Sequence, residues 1–125
     1  MQFTKHYTLE EARRLLPLVR QWLTELEACQ NRLTHLDERI AVLLAKGDDA
    51  GGEPVNMLIK TLAQCRRVLR EFRWREIQIK DLRRGLLDFP SLRQGREVFL
   101  CWEKDEEDIE FWHELDAGYG GRERL

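Results

Sequence analysis

The chain has 125 residues, of which 42% are hydrophobic and 35% are charged, and its net charge is −2. A net charge this small favours neither nucleic acid nor a membrane surface as a partner. No apolar stretch approaches the ~20 residues that a transmembrane helix needs, and the first six residues lack the apolar core of a signal peptide. Three scattered cysteines do not make a disulfide framework, so we expect a single cytoplasmic domain over residues 1–125.

The first predicted helix covers residues 8–46. Thr8 and Glu11 form a capping-box pattern at its start, because each side chain can bond the backbone N–H of the other residue. Apolar residues then alternate in steps of three and four, which is typical of a coiled-coil seam. They are Ala12, Leu15, Val19, Trp22, Leu26, Cys29, Leu33, Leu36, Ile40 and Leu43. Pro17 lies inside this pattern and predicts a kink or a break near Leu16.

The second predicted helix covers residues 54–75 and follows a linker, residues 48–54, whose Gly and Asp content predicts a mobile tip. Its apolar seam also has three-four steps, and two seamed helices joined by a short loop predict an antiparallel hairpin. The seam consists of Val55, Leu58, Leu62, Cys65, Leu69 and Phe72. Two helices cannot also cover a second apolar row on the first helix, which includes Leu16 and Leu23. We therefore expect the β-meander to cover one end of this row and a second chain to cover the rest, most simply in a homodimer. The alternative is a monomer in which the first short helix or the β segment folds back over the row.

Residues 77–122 predict a small antiparallel β-meander, which makes the fold class α+β. Period-two alternation begins at Ile77, and Leu86–Phe89 predicts a short strand that Pro90 ends. Residues 91–95 predict a turn around a glycine.

Two further strands are predicted at residues 97–102 and 109–113, around an acidic turn, with a helix over residues 106–115 as the alternative. In a hairpin with this turn, alternation places several side chains on one face. They are Phe99, Cys101, Ile109, Phe111 and His113.

Three phrases carry a family resemblance: "FTKHYTLEEARRLLP" near the start, then "KDLRRGLLDFPSLRQGREVFLCW" and "IEFWHELDAGYGGR". Together they resemble an uncharacterised bacterial family, domain of unknown function twenty-two-zero-three, along essentially the whole chain. The matching positions are Lys80, Asp81, Gly85, Asp88, Phe89, Pro90, Gly95, Cys101, Trp102, Trp112, His113, Gly118 and Arg122. The resemblance implies a cytoplasmic bacterial protein with this two-part architecture, and it implies no reaction.

A metal site is one interpretation of the C-terminal part. Cys101 and His113 are zinc ligand types, and Asp88 or Glu97 could add an oxygen ligand, so zinc or iron is possible. The spacing matches no strong zinc signature, and no cofactor is predicted. The alternatives are a small buried cysteine beside a hydrogen-bonded core histidine, or a catalytic pair with Cys101 as nucleophile.

Two other surfaces could bind anions. Arg66, Arg70 and Arg73 share one face of the second helix with Trp74 beside them, which could bind a phosphate backbone. An acidic run over residues 97–116 offers an internal counterpart, so a self-complementary surface is the alternative. Near the C-terminus, Gly120, Gly121 and Arg122 could build an anion nest, with a turn or tail as the alternative; they are not in the order of a P-loop.

Three functions stay open from the sequence. The first is a non-enzymatic oligomerisation or protein-interaction module, and the second is a nucleic-acid-binding protein that uses the arginines of the second helix. The third is a small metal- or anion-dependent enzyme centred on Cys101 and His113. We expect no membrane partner.

Overall fold

The computed structural model describes residues 1–47 and 52–125, so most of the predicted tip lies outside the described residues. Two helices are followed by a five-stranded antiparallel sheet, which confirms the α+β class. The elements are α1 (Leu9–Ala45), α2 (Glu53–Arg73), β1 (Gln78–Asp81), β2 (Leu86–Arg93), β3 (Arg96–Trp102), β4 (Phe111–Glu114), a 3₁₀ turn (Tyr119–Gly121) and β5 (Glu123–Arg124). Within the described part of the chain, neither helix is long and apolar enough to cross a membrane.

The described residues fall into two compact units. One contains residues 1–23 and 71–125, and the other contains residues 24–70. The first unit holds the start of α1, the end of α2 and the whole sheet, and the second holds the remaining parts of the two helices. The single-domain interpretation stays a prediction.

The capping box at the start of α1 is confirmed. The Glu11 N–H donates to the Thr8 hydroxyl at 3.1 Å, and the Thr8 N–H donates to the Glu11 carboxylate at 2.9 Å. Of the kink or break predicted near Leu16, the break is wrong, because α1 continues through Pro17, and the kink stays a prediction. Pro17 has no N–H to donate to the Arg13 carbonyl. Both residues lie on the exposed side of the helix, so water can bond that carbonyl instead.

In the unit of residues 24–70, the two helices run antiparallel, as the bond between Arg32 and Gln64 and the neighbouring Cys29 and Cys65 show. Of the predicted α2 seam, Val55, Leu58 and Cys65 are half-buried and Phe72 is buried, but Leu62 and Leu69 do not belong to it. Thr61 and Val68 are buried, whereas Leu62 is 41% exposed and Leu69 is 38% exposed. A threonine can occupy the seam because its hydroxyl donates to the Met57 carbonyl at 2.7 Å. The sequence pattern could not predict this, since it counts Thr61 as polar and Leu62 as apolar.

A non-glycine residue ends the turn after α2. Glu76 has φ 59°, and its N–H bonds the Arg73 carbonyl while the Ile77 N–H bonds the Phe72 carbonyl, as in a Schellman motif. The Glu76 carboxylate in turn accepts hydrogen bonds from Thr4 and Lys5 near the N-terminus. The left-handed backbone at Glu76 therefore accompanies a contact that a glycine could not make.

The sheet has the order β1-β2-β3-β4-β5, so every strand pairs with its neighbour in sequence. The strand predicted at residues 109–113 is confirmed as β4, and the alternative of a helix over residues 106–115 is wrong. The strand begins at Phe111 rather than at Ile109. β2 and β3 are joined by Gln94 and Gly95, which have φ 53° and 77°. These angles are typical of a type I′ hairpin turn, which is shorter than the predicted turn.

The prediction that Pro90 ends its strand is wrong, because β2 continues to Arg93. The Pro90 carbonyl accepts a hydrogen bond from the Tyr7 N–H at 2.7 Å, on the side of β2 away from β3. The nitrogen and carbonyl of a strand residue point to the same side, so the missing N–H of Pro90 costs no bond to β3. Pro90 can therefore pair with Phe99 inside the ladder.

The N-terminal segment, residues 1–7, lies along this unit. Glu97 accepts hydrogen bonds from the backbone N–H groups of Gln2 and Phe3 at 2.7 and 2.9 Å, and from the His6 ring at 2.8 Å. The Ser91 hydroxyl donates to the Tyr7 carbonyl at 2.6 Å. The bonds of Tyr7 with Pro90 and Ser91 extend the cover of the β2 edge beyond Asp88, where the pairing with β1 ends.

The two faces of the sheet have different neighbours within this unit. One face carries large buried residues, and Arg20 of α1 lies over the Trp102 ring at 4.9 Å. The other face carries Asp88, Cys101 and His113, because strand alternation and the ladder register place them on one side. On that side Phe3 packs edge-on against Phe99, with ring centroids 5.4 Å apart.

Candidate metal centre

Three potential metal ligands meet on the face of the sheet opposite α1. Asp88 pairs with Cys101 across β2 and β3, and His113 lies one pair further along, on β4. One carboxylate oxygen, the thiol sulfur and one ring nitrogen all lie within 4.8 Å of one another, and all three residues are buried. The structure therefore brings together the three residues predicted as metal ligands, from three separate strands. Glu97, the other oxygen donor considered, bonds the N-terminal segment instead.

Hydrogen bonding fixes the orientation of the His113 ring. Its Nδ1 lies 2.6 Å from the backbone carbonyl of Glu114, so Nδ1 must carry a proton. Its Nε2 lies 3.0 Å from the Asp88 carboxylate, so one proton is shared between these two groups. An Nδ1–H bonded to a backbone carbonyl is the arrangement that directs Nε2 of a histidine towards a metal ion.

The Cys101 thiol is protonated when no metal ion is bound. Burial, followed by the nearby Asp88 carboxylate, raises the pKa of the thiol to about 12, although the Arg122 guanidinium acts in the opposite sense. Arg122 Nη1 lies 3.9 Å from the sulfur, and its guanidinium forms a two-pronged ion pair with Glu106 at 2.8 and 3.2 Å. A metal ion could replace the thiol proton, whereas an unassisted nucleophile would need a lower pKa.

The three ligands line a cleft with a volume of about 250 Å³. The other residues that line it include Lys80, Leu86, Leu115, Asp116 and Tyr119. Lys80 occupies a register shift of β1, between the pairs Ile79–Leu87 and Asp81–Leu86, and such a bulge redirects a side chain. Sequence reasoning missed Lys80 as a cleft residue, since no pattern in the sequence marks a bulge, and it missed Asp116, which follows the end of β4.

The donor set decides what the site could hold. One imidazole nitrogen, one thiolate sulfur and one carboxylate oxygen suit zinc or another divalent transition metal better than magnesium or calcium. Three protein ligands beside a cleft leave a fourth position for water or a small ligand, which is the pattern of catalytic rather than structural zinc sites.

The predicted anion nest has other partners within the chain. The N–H groups of Gly121 and Arg122 bond the carbonyls of Gly118 and Tyr119 at 3.1 Å, inside the 3₁₀ turn. Gly120 is exposed, and the Arg122 guanidinium is held by Glu106 and lies 3.9 Å from the Phe111 ring centre. An anion site at Gly120, Gly121 and Arg122 stays a prediction.

The residues predicted to bind nucleic acid are all at the surface. Arg66, Arg70 and Arg73 are exposed on α2, and Trp74 follows the end of the helix with 56% of its surface exposed. The Trp74 ring lies beneath Lys5 and Arg75, at 4.2 and 4.1 Å. Nucleic-acid binding by this group stays a prediction.

Comparison with known proteins gives one assignment. A search of curated proteins and a search of solved structures found no match. Residues 5–125 match the family model described as "Uncharacterized conserved protein (DUF2203)", as the quoted phrases predict. The match covers almost the whole sequence and includes all three residues of the buried cluster. The chain therefore belongs to the DUF2203 family of uncharacterised conserved proteins.

Proposed function

We propose that this protein binds one divalent transition-metal ion, with zinc favoured, through Asp88, Cys101 and His113, and that the ion serves chemistry on a small substrate in the adjoining cleft. The observation that carries the proposal is the convergence of three different ligand types within 4.8 Å, all buried. Iron is the second candidate, because the same donors suit it.

The contacts around the cluster support a metal site rather than a purely structural pair. Burying a carboxylate and an imidazole costs free energy, and a small core does not need them for packing. Cys101 adds a third ligand atom that the Asp88–His113 hydrogen bond does not use. The backbone bond at His113 Nδ1 and the Arg122 contact at the sulfur supply the outer partners that metal ligands usually have.

A Cys–His catalytic pair is less well supported. Burial raises the pKa of the Cys101 thiol to about 12, so very little nucleophilic thiolate is present at neutral pH. In His113, Nδ1 bonds the Glu114 carbonyl and Nε2 bonds the Asp88 carboxylate, so the ring is oriented by these two groups and not by the Cys101 thiol.

Metal analysis of the protein, purified without a histidine tag and without chelators, tests the proposal. We expect about one equivalent of zinc or iron in the unsubstituted protein, and its loss in Cys101→Ala and in His113→Ala. Cys29→Ala is the matched control, because Cys29 is also buried but lies in the other unit.

Two results would count against the metal site. One is an unsubstituted protein that stays metal-free after exposure to zinc and to ferrous iron. The other is bound metal that survives in Cys101→Ala and His113→Ala as well as it does in Cys29→Ala.

We also propose a cytoplasmic location. All three cysteines are free thiols, which is usual in a reducing compartment. A cysteine introduced at an exposed position, Arg66→Cys, and labelled in cells with a thiol reagent that cannot cross membranes tests this. We expect protection in intact cells and labelling after lysis, and labelling in intact cells would contradict the proposal.

A further inference from the structure

We infer, on the basis of the proposed function, that Lys80 and the bound metal ion together hold a small oxyanion in the cleft, so that the substrate of this site carries a carboxylate or a phosphate group. The metal ion at Asp88, Cys101 and His113 supplies one contact. Lys80 supplies the other, because it lines the same cleft.

The position of Lys80 brings a positive charge to the face of the sheet that carries the metal ligands. Lys80 lies at the bulge of β1, beside the part of β2 that contains Asp88. Its Nζ lies 5.3 Å from the centre of the Phe99 ring, and the centre of that ring lies 5.5 Å from the centre of the His113 ring. Lys80 and His113 therefore lie against the same aromatic side chain.

The charge of Lys80 is available to a ligand, whereas nearby arginines are held by acids. Arg84 pairs with Glu103 at 2.8 Å, and Arg122 pairs with Glu106 at 2.8 Å. Within the described part of the chain, the structure gives Lys80 no ion pair. A few charged groups in a cleft are what selects and orients a small ligand, and an unpaired ammonium selects an anion.

The charge balance of the metal site also favours an anion beside Lys80. A divalent ion bound to the Asp88 carboxylate, the Cys101 thiolate and the neutral His113 imidazole has no net charge. An anion in the fourth position makes the site negative, and the Lys80 ammonium restores neutrality. One oxygen of a carboxylate or phosphate can bind the metal ion while another accepts a hydrogen bond from Lys80.

The cleft limits the size of the ligand and the strength of its binding. Its volume of about 250 Å³ is smaller than the roughly 300–1,000 Å³ of pockets for drug-sized ligands, so a small molecule fits it best. The exposed carboxylate of Asp116 lines the same cleft and repels an anion there. Lys80 and Asp116 therefore have opposite effects on anion binding, and both can be measured.

Anion titration of the cobalt(II)-loaded protein is the test, because the visible absorption of bound cobalt changes with the ligand in its fourth position. The probes are inorganic phosphate and acetate, each added at constant ionic strength set with a weakly coordinating salt. We expect a saturable spectral change with at least one of them. The probe that binds more tightly shows which of the two oxyanion classes the cleft takes.

Substitutions in the cleft separate the role of Lys80 from that of the metal ion. Lys80→Met should weaken binding of the tighter probe about tenfold, because it removes a charged hydrogen-bond donor, and Lys80→Arg should keep most of the affinity. Asp116→Asn should strengthen binding a few-fold. Lys60→Met is the matched control, since Lys60 is an exposed lysine in the other unit. All four variants should bind one equivalent of cobalt.

Two results would overturn the role of Lys80 and leave the metal site intact. One is a cobalt-loaded protein whose spectrum changes with neither probe. The other is anion binding that Lys80→Met weakens no more than Lys60→Met does. An unsubstituted protein that binds neither cobalt nor zinc would instead overturn the proposed function, and the anion site with it.

Discussion

The buried pair of Asp88 and His113 allows a quantitative prediction for the metal-free protein. The two side chains are 2% and 1% exposed, and the carboxylate oxygen lies 3.0 Å from Nε2. Removing one partner of such a pair leaves a polar group buried without compensation, which costs about 3–5 kcal/mol. We therefore expect Asp88→Ala and His113→Ala each to lower the free energy of unfolding by this amount.

The double substitution should cost much less than the sum of the two single ones. Once both polar groups are gone, neither is left buried and unpaired, so we expect a coupling of about 2 kcal/mol or more. Asp116→Ala is the control, because Asp116 lines the same cleft but is exposed, and its effect should stay within about 0.5 kcal/mol.

Urea unfolding in the presence of a chelator measures these energies, and tryptophan fluorescence can follow it because Trp102 and Trp112 are both buried. Additive effects of Asp88→Ala and His113→Ala would refute the reasoning, since they would mean that the two side chains do not compensate each other. Single substitutions that cost less than about 1 kcal/mol would refute it as well, because they would show that water already solvates the pair.

The other predictions concern single positions. Hydrogen bonds from the His6 ring and from two backbone N–H groups lower the pKa of Glu97 from 4.5 to about 2, so its contribution to stability is present above about pH 4.5 and is lost as the pH falls towards 2. The urea midpoint of Glu97→Gln should therefore fall less steeply over this range than that of the unsubstituted protein, and parallel curves would contradict the assignment. Because its pKa is raised, the Cys101 thiol has roughly a thousandfold less thiolate than an ordinary thiol. This can be tested in a metal-free variant that lacks Cys29 and Cys65. Iodoacetamide should react far more slowly with the native variant than with the unfolded one. Val68→Ala should lower the free energy of unfolding by about 2 kcal/mol, whereas Leu62→Ala should cost less than about 1 kcal/mol in dilute, monomeric protein; the reverse order would restore the predicted seam.

Much of the fold follows from local patterns. The capping box at Thr8 and the three-four spacing on α1 mark a long helix, and period-two alternation marks the strands. The errors arise where a tertiary contact decides the outcome. Pro90 stays in its strand because its nitrogen and carbonyl point away from β3, where the carbonyl bonds Tyr7, more than eighty residues earlier in the sequence. Thr61 is a different case, because a local bond from its hydroxyl to the Met57 carbonyl lets a polar residue enter the seam.

The candidate site was only partly accessible from the sequence. Strand alternation places Cys101 and His113 on one face, and their residue types suggested a metal. Asp88 was one of two possible oxygen donors, and only the register of β2 against β3 distinguishes it from Glu97. Lys80 could not be predicted as a cleft residue, because its position depends on an irregularity in the pairing of β1 with β2.

The N-terminal segment has a consequence for the order of folding. Its partners come much later in the chain: Glu76 bonds Thr4 across 72 residues, and Glu97 bonds Gln2 across 95. Contacts that close such long loops are entropically costly and tend to form after local hairpins. The edge of β2 that Tyr7 covers should therefore stay unpaired after the β2–β3 hairpin has formed, until the N-terminal segment docks. During that interval an unpaired strand edge with Phe89 and Leu92 is available to another unfinished chain, so crowded synthesis is the condition in which this protein is most prone to aggregate.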